Sequence, residues 1–189
     1  MINNDLLAGE KVRLIELDPE RDSKSWVKWL ENSEYLRLLD SEPSRLRSEK
    51  VSKEWMEKHL SDFLEFEFYI QTLEDGKIIG GVGLEGNIRT HQEAFVGIGI
   101  GEPDYWGKGY GTDAMRLILR YGFLELNLHR VSLNVFGYNT RAIRSYEKAG
   151  FVVEGRSPNF LIRDGKRWDL VWMGILKEEW IKNYGSEFI

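Results

Sequence analysis

The sequence predicts an α/β (α+β) fold, in which helices pack on a central mixed sheet within one domain spanning residues 1–189. The first observation is length, because 189 residues suit a single domain that buries a hydrophobic core. The second is the succession of strand-like and helix-like segments in the order β-α-α-β-β-β-α-β-α-β-β. The third is composition, since 42% of residues are hydrophobic and neither a linker nor a repeat interrupts the chain.

Composition also excludes several classes of function. The chain has no cysteine, which rules out a disulfide framework, a thiolate metal site and a cysteine nucleophile. Its three histidines are too far apart in sequence for a local metal motif, so no metal is expected. The formal charge of −5 argues against nucleic acid as a partner. We find no signal peptide and no apolar run of membrane-spanning length, so we expect a cytoplasmic protein without a membrane partner.

The N-terminal third is predicted to contain one strand and two helices. Alternating apolar side chains predict a strand from Lys11 to Leu17. A helix follows with Asp22 or Ser23 as its cap, and a core-facing stripe at helical spacing consists of Trp26, Trp29 and Leu30. After a polar loop over residues 40–50, a second helix presents another core-facing stripe, which consists of Val51, Trp55, Leu60, Phe63 and Leu64.

Three strands are predicted in the middle of the chain. The first covers Phe66 to Leu73 and is followed by Asp75 and Gly76, a dipeptide that suits a tight hairpin turn. The second strand runs from Ile78 to Ile88. A polar turn then leads to the third, from Ala94 to Gly101. This pattern is typical of a hairpin followed by a further strand.

The C-terminal half is predicted to alternate between helices and strands before it ends in a hairpin. Its elements are a helix over 112–126, a strand over 130–136, a helix ending at 149, strands over 151–156 and 167–176, and a helix over 177–184. Asn139 or Thr140 begins the second of these helices, because both residue types are good caps. Gly150 is a typical helix stop.

Eleven of the nineteen glycines lie between Gly76 and Gly111. Alternation divides the strand over 94–101 into a core face of Val96, Ile98 and Ile100 and a nearly bare face of Phe95, Gly97, Gly99 and Gly101. The preceding strand repeats the bare face with Gly81 and Gly83, followed by Glu85. Such backbone is typical either of a bulge or tight helix packing, or of close approach by a ligand.

A glycine-rich loop from Trp106 to Thr112 joins this strand to the next helix. Its glycines let successive backbone N–H groups converge, and the helix N-terminus adds the positive end of its dipole. This combination predicts a nest for phosphate. The loop lacks the Gly-Lys-Ser/Thr ending of a nucleoside-triphosphate P-loop and the spacing of the dinucleotide fingerprint, which argues against those two classes.

Two motifs resemble the GNAT superfamily of N-acetyltransferases, which use acetyl-CoA. Gly109 and Gly111 match the two glycines of the superfamily's Q/R-x-x-G-x-G/A loop. Trp106 departs from the first position of that loop, as in the branch that acetylates ribosomal-protein N-termini. The segment 139–151 resembles the N-x-x-A-x-x-x-Y-x-K-x-G-F run of the same superfamily. The resemblance spans most of the chain and is strongest over residues 94–175.

The resemblance implies a single GNAT-like domain whose sheet is mostly antiparallel, has about seven strands and holds its CoA-binding core near residues 78–156. It also implies an acetyl-CoA-dependent N-acetyltransferase. Direct attack by the amine on the thioester is expected, because a chain without cysteine cannot form an acyl-cysteine. The acceptor is a protein N-terminus, a polyamine or another small amine. Dimers are common in this branch, and the oligomeric state stays open.

The same matches imply the site residues. The acetyl-CoA-binding set consists of Ile98, Gly99, Ile100, Trp106, Gly107, Lys108, Gly109, Tyr110, Gly111, Thr112, Asn139, Ala142 and Tyr146. Tyr146 matches the usual general acid, which protonates the departing sulfur. Glu85 is our candidate general base because it shares a strand face with Gly81 and Gly83, and Glu93 is a second candidate. The alternative for Glu85 is an ordinary surface carboxylate.

Two other hypotheses stay open. The first is a non-catalytic domain of the same fold that binds or senses acetyl-CoA, and the presence of Tyr146 argues against it. The second is a phosphate-binding enzyme of another kind, such as a nucleotide transferase. The missing lysine–serine pair and the lack of an acidic metal cluster near the loop argue against that class.

Overall fold

The centre of the fold is a seven-stranded mixed sheet. The computed structural model describes residues 5–60, 65–86 and 90–184. Its strands are β1 (Val12–Glu16), β2 (Glu65–Thr72), β3 (Ile78–Glu85), β4 (Glu93–Ile100), β5 (Arg130–Phe136), β6 (Val152–Arg163) and β7 (Lys166–Leu176). They lie in the order β1-β2-β3-β4-β5-β7-β6, with only β4 and β5 parallel among the described neighbours. The predicted fold class is therefore confirmed.

Six α-helices flank this sheet in the described ranges. They are α1 (Pro19–Leu30), α2 (Ser33–Leu39), α3 (Glu49–Leu60), α4 (Tyr110–Leu124), α5 (Thr140–Lys148) and α6 (Lys177–Tyr184). α2 was not predicted from the sequence. Its cap is the Asn32 side chain, which accepts the N–H groups of Glu34 at 3.0 Å and Tyr35 at 3.2 Å. Within residues 5–60, 65–86 and 90–184, none of the helices is both long and apolar enough to cross a membrane.

The start of α1 corrects the predicted cap. The helix begins at Pro19, and its cap is Asp18, whose carboxylate accepts the N–H of Glu20 at 2.9 Å. The predicted caps, Asp22 and Ser23, lie inside the helix and are buried. The helix starts earlier because proline is favoured at the first helical position, where its missing N–H has no intrahelical partner to lose.

Two strand ends differ from the prediction by more than one residue. The strand after Gly150 is twice as long as predicted, because β6 continues to Arg163 and pairs with β7 up to the hairpin turn. β3 ends at Glu85, the next residue Gly86 is already a bend, and residues 87 and 88 of the predicted continuation lie outside the described residues. β6 extends beyond its alternating segment because it pairs with β7. A local sequence pattern does not reveal such cross-strand pairing.

The buried face of α3 differs from the predicted stripe. Val51 is 48% exposed, whereas Ser52 and Met56, one helical turn apart, are fully buried. Trp55 is half-buried. The remaining predicted members lie outside what the structure describes, namely the side chain of Leu60 and residues Phe63 and Leu64. The phase of the helix against the sheet, and not its hydrophobicity alone, decides which side chains are buried.

Helices cover both faces of the sheet. On one face, α4, α5 and α6 close the main core, whose largest fully buried members include Phe123, Met115, Ile118, Leu119 and Met173. On the other face, Trp29, Tyr35 and Met56, from α1, α2 and α3 respectively, pack with Tyr69 of β2. Trp29 is only 1% exposed, which confirms the predicted core stripe of α1. The second face therefore carries the aromatic cluster and the glycines of β3 and β4.

β4 and β5 separate after three paired positions. The pairs are Glu93 with Arg130, Ala94 with Val131 and Phe95 with Ser132. Beyond them β4 stays paired with β3, and β5 stays paired with β7. The edge of residues 96–100 consequently faces a cleft instead of a neighbouring strand, and this cleft positions the candidate site.

The bare face of β4 has two different explanations. A β-carbon at Gly101 would overlap the Trp29 ring, and one at Gly99 would overlap the Tyr35 hydroxyl. Close helix packing therefore requires both glycines. At Gly97 a β-carbon would meet no described heavy atom within 4 Å. Of the two alternatives left by the sequence, helix packing accounts for Gly99 and Gly101, and open space lies above Gly97.

A buried carboxylate joins α1 to the sheet. Glu102, whose side chain is 8% exposed, accepts hydrogen bonds from Trp29 Nε1 at 3.0 Å, Lys28 Nζ at 3.0 Å and Lys77 Nζ at 2.8 Å. Burial by itself raises the pKa of Glu102, but the hydrogen bonds from Lys77, Trp29 and Lys28 outweigh it and lower the pKa to about 2. The carboxylate is thus held ionised at neutral pH.

We expect Glu102→Ala to lower the free energy of unfolding by about 2 kcal/mol at neutral pH, because the buried Trp29 indole loses its acceptor while the lysines return to water. The folded pKa lies below the ordinary 4.5, so the stabilisation is complete above that value and disappears as pH falls towards 2. Urea unfolding at pH 7 and near pH 3 measures both effects. Glu74→Ala, in the exposed turn, is the control, and an equal loss at both pH values contradicts the argument.

Candidate active site

A cavity of about 510 Å³ opens where β4 and β5 separate. It brings together most of the predicted site residues, namely Glu85, Ile98, Gly99, Ile100, Trp106, Gly107, Gly109, Gly111, Thr112, Asn139, Ala142 and Tyr146. Three predicted residues lie outside its lining, and one of them is the second candidate base Glu93, which is exposed at the start of β4. Lys108 is exposed, and the Tyr110 ring packs on Tyr105 with ring centroids 5.1 Å apart. The cavity is therefore built from β4, the loop that follows it, the start of α4 and one face of α5.

The backbone of β4 directs alternate hydrogen-bonding groups into the cleft. The Gly101 N–H donates at 2.8 Å to a carbonyl of β3. On the opposite edge, the Ile100 carbonyl accepts the indole N–H of Trp106 at 2.6 Å. Because successive residues of an antiparallel strand turn their N–H and C=O groups to opposite edges, the N–H groups of Ile98 and Ile100 face the cleft. The N–H of Gly99 faces β3.

The loop after β4 forms a nest of backbone N–H groups. Gly107 has a φ of 71° and Gly109 a φ of 91°, left-handed values that favour glycine. Gly109 is also the cap residue of α4 and offers no side-chain acceptor. The first N–H groups of this 15-residue helix are therefore available to a ligand, and the positive end of the helix dipole lies beside them. The arrangement suits an anionic group such as phosphate.

Trp106 is held by two contacts, one of which the sequence did not indicate. Besides its hydrogen bond to β4, its ring lies beneath the Arg141 guanidinium, 4.0 Å from the ring centroid. This is a cation–π contact. Burial lowers the pKa of Arg141 below its usual value, and the group stays a cation at neutral pH. The loop and α5 are thus joined across the cavity.

One face of α5 lines the cavity with three of the predicted residues. Asn139, Ala142 and Tyr146 follow at spacings of three and four, so they project from the same side of the helix. The Asn139 side chain accepts the Ala142 N–H at 3.2 Å, which confirms its predicted capping role. The hydroxyl oxygens of Thr112 and Ser145 lie 2.8 Å apart and fix α5 against the start of α4.

Tyr146 and Glu85 differ in their surroundings. The Tyr146 ring packs edge-on against Phe151, with centroids 6.2 Å apart, and burial raises the pKa of its hydroxyl to about 12. A phenol with that pKa stays protonated at neutral pH and is able to donate a proton. Glu85 is exposed at the end of β3, opposite Phe95 of β4, and lines the rim of the cavity.

A basic face of α5 was missed at the sequence level. Arg141, Arg144 and Lys148 all line the cavity and follow at spacings of three and four. The spacing is visible in the sequence, but a basic helix face is usually solvated surface. The cavity distinguishes this helix face from ordinary surface, because the same cavity is lined by the basic face on one side and by the nest of the glycine loop on the other.

A second cavity of about 200 Å³ lies on the other side of β4, beneath α1, α2 and α3. It shares six lining residues with the first, namely Tyr35, Leu39, Glu85, Gly97, Ile98 and Gly99. The two cavities therefore meet at the middle of β4. The second cavity also contains Glu67 of β2, which the sequence analysis did not single out.

Comparisons with known proteins agree with this geometry. Residues 11–152 match the family model described as "Acetyltransferase (GNAT) domain". The chain is 31% identical over 172 residues to the spermidine N(1)-acetyltransferase of Escherichia coli strain K12, with 90% of each chain covered. It is 32% identical over 154 residues to the "SPbeta prophage-derived uncharacterized N-acetyltransferase YokL" of Bacillus subtilis, covering 82% of this chain and 85% of that one.

A solved structure shows the same fold. The crystal structure of spermidine N-acetyltransferase from Vibrio cholerae, in complex with CoA and spermine, is similar with a TM-score of 0.80 and 29% identity. The alignment covers 90% of this chain and 98% of that chain. Strand order, cleft and helices of the described residues therefore follow an architecture that binds CoA in that relative.

Proposed function

This chain belongs to the GNAT acetyltransferase family and is an acetyl-CoA-dependent N-acetyltransferase, and we propose that it acetylates a primary amine by direct attack on the thioester. The observation that carries the proposal is the meeting of a phosphate-suited nest, an open strand edge and a protonated tyrosine in one cavity. The lack of cysteine in the sequence supports direct attack, since no thiol is available to carry the acetyl group.

In this proposal acetyl-CoA lies along the cleft between β4 and β5. The N–H groups from Gly107 to Thr112 bind the diphosphate, and the basic face of α5 adds positive charge. Lys108 and Tyr110 contribute through their backbone, because their side chains lie outside the cavity lining. The pantetheine amides pair with the free edge at Ile98 and Ile100, as an added strand would. One of these N–H groups stabilises the oxyanion, an effect worth about 3–4 kcal/mol in measured cases.

The chemical step moves two protons. The amine nitrogen attacks the carbonyl carbon, the carbon–sulfur bond breaks, and the Tyr146 hydroxyl protonates the departing sulfur. Glu85 accepts the proton of the amine through a water. Glu85 pairs with Phe95, which lies three residues before Ile98. Three residues span about 10 Å along a strand, so the Glu85 carboxylate is too far from an amine at Ile98 for direct contact. Exchange with solvent returns both groups to their starting protonation states.

Two acceptor classes have support. The likeness to spermidine N-acetyltransferases supports a polyamine. The loop with Trp106, which resembles the ribosomal-protein branch, supports a protein N-terminus. Thiol release from acetyl-CoA, measured with polyamines and with short peptides as acceptors, tests both classes. Binding of acetyl-CoA without thiol release for any amine would favour a non-catalytic sensing domain.

Acetyl-CoA is expected to raise the melting temperature of the protein by roughly 5–10 °C at about 100 times its Kd. Such saturation adds about 2.7 kcal/mol to the stability of the folded state. A protein of this size gains about 2–4 °C for each kcal/mol. Thermal unfolding with and without acetyl-CoA measures the shift, and its absence at millimolar ligand contradicts the donor assignment.

A matched pair of variants tests the nest itself. Gly107 and Gly165 have φ values of 71° and 72°, and a β-carbon at either would meet no described heavy atom within 4 Å. Alanine therefore introduces the same backbone strain at both positions. Gly107→Ala should reduce the shift caused by acetyl-CoA, whereas Gly165→Ala, in the hairpin turn, should keep the full shift. Equal shifts in the two variants would argue against phosphate binding by the loop.

A further inference from the structure

The second cavity is distinct from the donor cleft in its chemistry. Its floor is the bare face of β3 and β4, where Gly81 pairs with Gly99 and Gly83 pairs with Gly97. Four glycines in two neighbouring rows give this floor no side chains of its own, although Tyr35 packs over Gly99, and the floor therefore forms a trough. The trough runs across the sheet to Gly97, beside the strand edge at which we place the thioester.

Glu67 extends into this trough from β2. It pairs with Gly83, and a β-carbon at Gly83 would lie 3.1 Å from Glu67 Cγ. The side chain therefore leans over the glycine, across the floor and towards β4. A residue other than glycine at position 83 would push it away. The half-buried carboxylate and that of Glu85 make the trough anionic.

The wall above the trough is aromatic. The rings of Trp26 and Trp55 stack with centroids 5.4 Å apart and an interplanar angle of 6°. Both rings line the cavity, together with Leu17 and Tyr69. Such a wall packs against methylene groups and attracts cations. The cavity thus offers apolar contact along its length and negative charge at Glu67 and Glu85.

Strand spacing sets the distance between the carboxylate and the reaction centre. Glu67 and Gly97 lie on either side of β3, two inter-strand spacings apart, which is about 10 Å between their backbones. Part of that span is covered by the Glu67 side chain, which leaves room for a few methylene groups. A group held by Glu67 is therefore too far from the thioester to be the attacking amine, but it is well placed to be a second charge on the same molecule.

We propose that the second cavity binds the acceptor as a linear aliphatic diamine or longer polyamine, with one amine at the thioester and a second ammonium held by Glu67. This inference rests on the proposed acetyl transfer and specifies its substrate class. The cavity of about 200 Å³ is small and walled by aromatic rings, so it favours an unbranched chain over a peptide N-terminus with its side chains.

The test compares two amines of equal carbon chain, 1,4-diaminobutane and n-butylamine, by thiol release from acetyl-CoA. We expect kcat/KM to be at least about tenfold higher for the diamine. Its second ammonium gains a hydrogen bond to a charged carboxylate, and such a bond changes an equilibrium by about that factor or more. In Glu67→Gln the ratio of the two kcat/KM values should fall towards one, while the Kd for CoA, measured by calorimetry, stays unchanged. Glu178→Gln, which makes the same charge change on α6, should keep the wild-type ratio.

Other outcomes separate this inference from the acetyl transfer itself. Equal kcat/KM for the two amines in the wild-type protein, an unchanged ratio in Glu67→Gln, or better turnover of short peptides than of diamines would each overturn it. No thiol release with any amine would instead contradict the proposed function. Gly83→Ala provides a second variant in case Glu67→Gln does not fold, and it should also lower the ratio, because it displaces the Glu67 side chain.

Discussion

Replacement of Tyr146 by phenylalanine is expected to lower kcat about 100-fold or more, the usual contribution of a positioned general acid. The ring stays packed against Phe151, so the affinity for CoA should change little. What the variant loses is the proton that goes to the departing sulfur. Steady-state kinetics with acetyl-CoA and a reactive amine, together with the Kd for CoA, separate the two effects.

Tyr121→Phe is a matched control for this substitution. Tyr121 is also half-buried and packs on Phe68, but its side chain is not part of the cavity lining. Its variant should keep the wild-type kcat. If Tyr146→Phe also keeps it, Tyr146 is not the general acid and the sulfur leaves as a thiolate.

The pKa of Tyr146 adds a prediction about alkaline pH. Burial raises this pKa from 10.0 to about 12. A general acid must be protonated to work, so its activity falls only as pH rises through the folded pKa. The wild-type rate should therefore not decline through pH 10. A decline centred there in the wild type, and absent in Tyr146→Phe, would mean that the hydroxyl titrates like an exposed tyrosine.

Gly97→Leu is expected to reduce kcat/KM at least about 100-fold without unfolding the protein. A leucine side chain would enter space that no described atom occupies within 4 Å, at the point where the two cavities meet. It would separate the acceptor from the thioester, and a displacement of about 1 Å at a reaction centre already costs about 100-fold. Steady-state kinetics and thermal unfolding measure the two consequences.

The control for this variant is Gly155→Leu. Gly155 lies in β6, and a β-carbon there also meets nothing within 4 Å in the described chain. Both substitutions replace a strand glycine by the same side chain, so their effects on stability should be similar. Wild-type turnover in Gly97→Leu would show that the acceptor does not cross the floor of β4. Equal loss in both variants would point to a general effect on the fold.

Local features were predictable from the sequence. β5 and α6 have the predicted bounds, Arg130–Phe136 and 177–184. Asn139 caps α5 as predicted. The left-handed φ values at Gly107 and Gly109 follow from residue type, because few other residues adopt them readily. Caps, turns and alternation depend on residues a few positions apart, so one stretch of sequence contains the information.

Features that depend on distant residues were not predictable in the same way. α2 is short and is held by the packing of Tyr35 over Gly99, a contact between segments far apart in sequence. Arg141 lies over Trp106 only because α5 folds back across the glycine loop. The register of β2 against β3 brings Glu67 over Gly83. No periodicity of the sequence encodes such contacts.

The sequence by itself predicted the features that we assign to the donor side of this protein, namely a glycine nest and an α5 face with Tyr146, and it showed a chain without cysteine. Only the tertiary structure showed which group, if any, occupies the space beside each glycine of β4. Gly99 and Gly101 admit aromatic side chains from α1 and α2, while Gly97 faces open space where the two cavities meet. The physical reason is that glycine allows close approach by any group, and only the folded neighbours decide which group approaches.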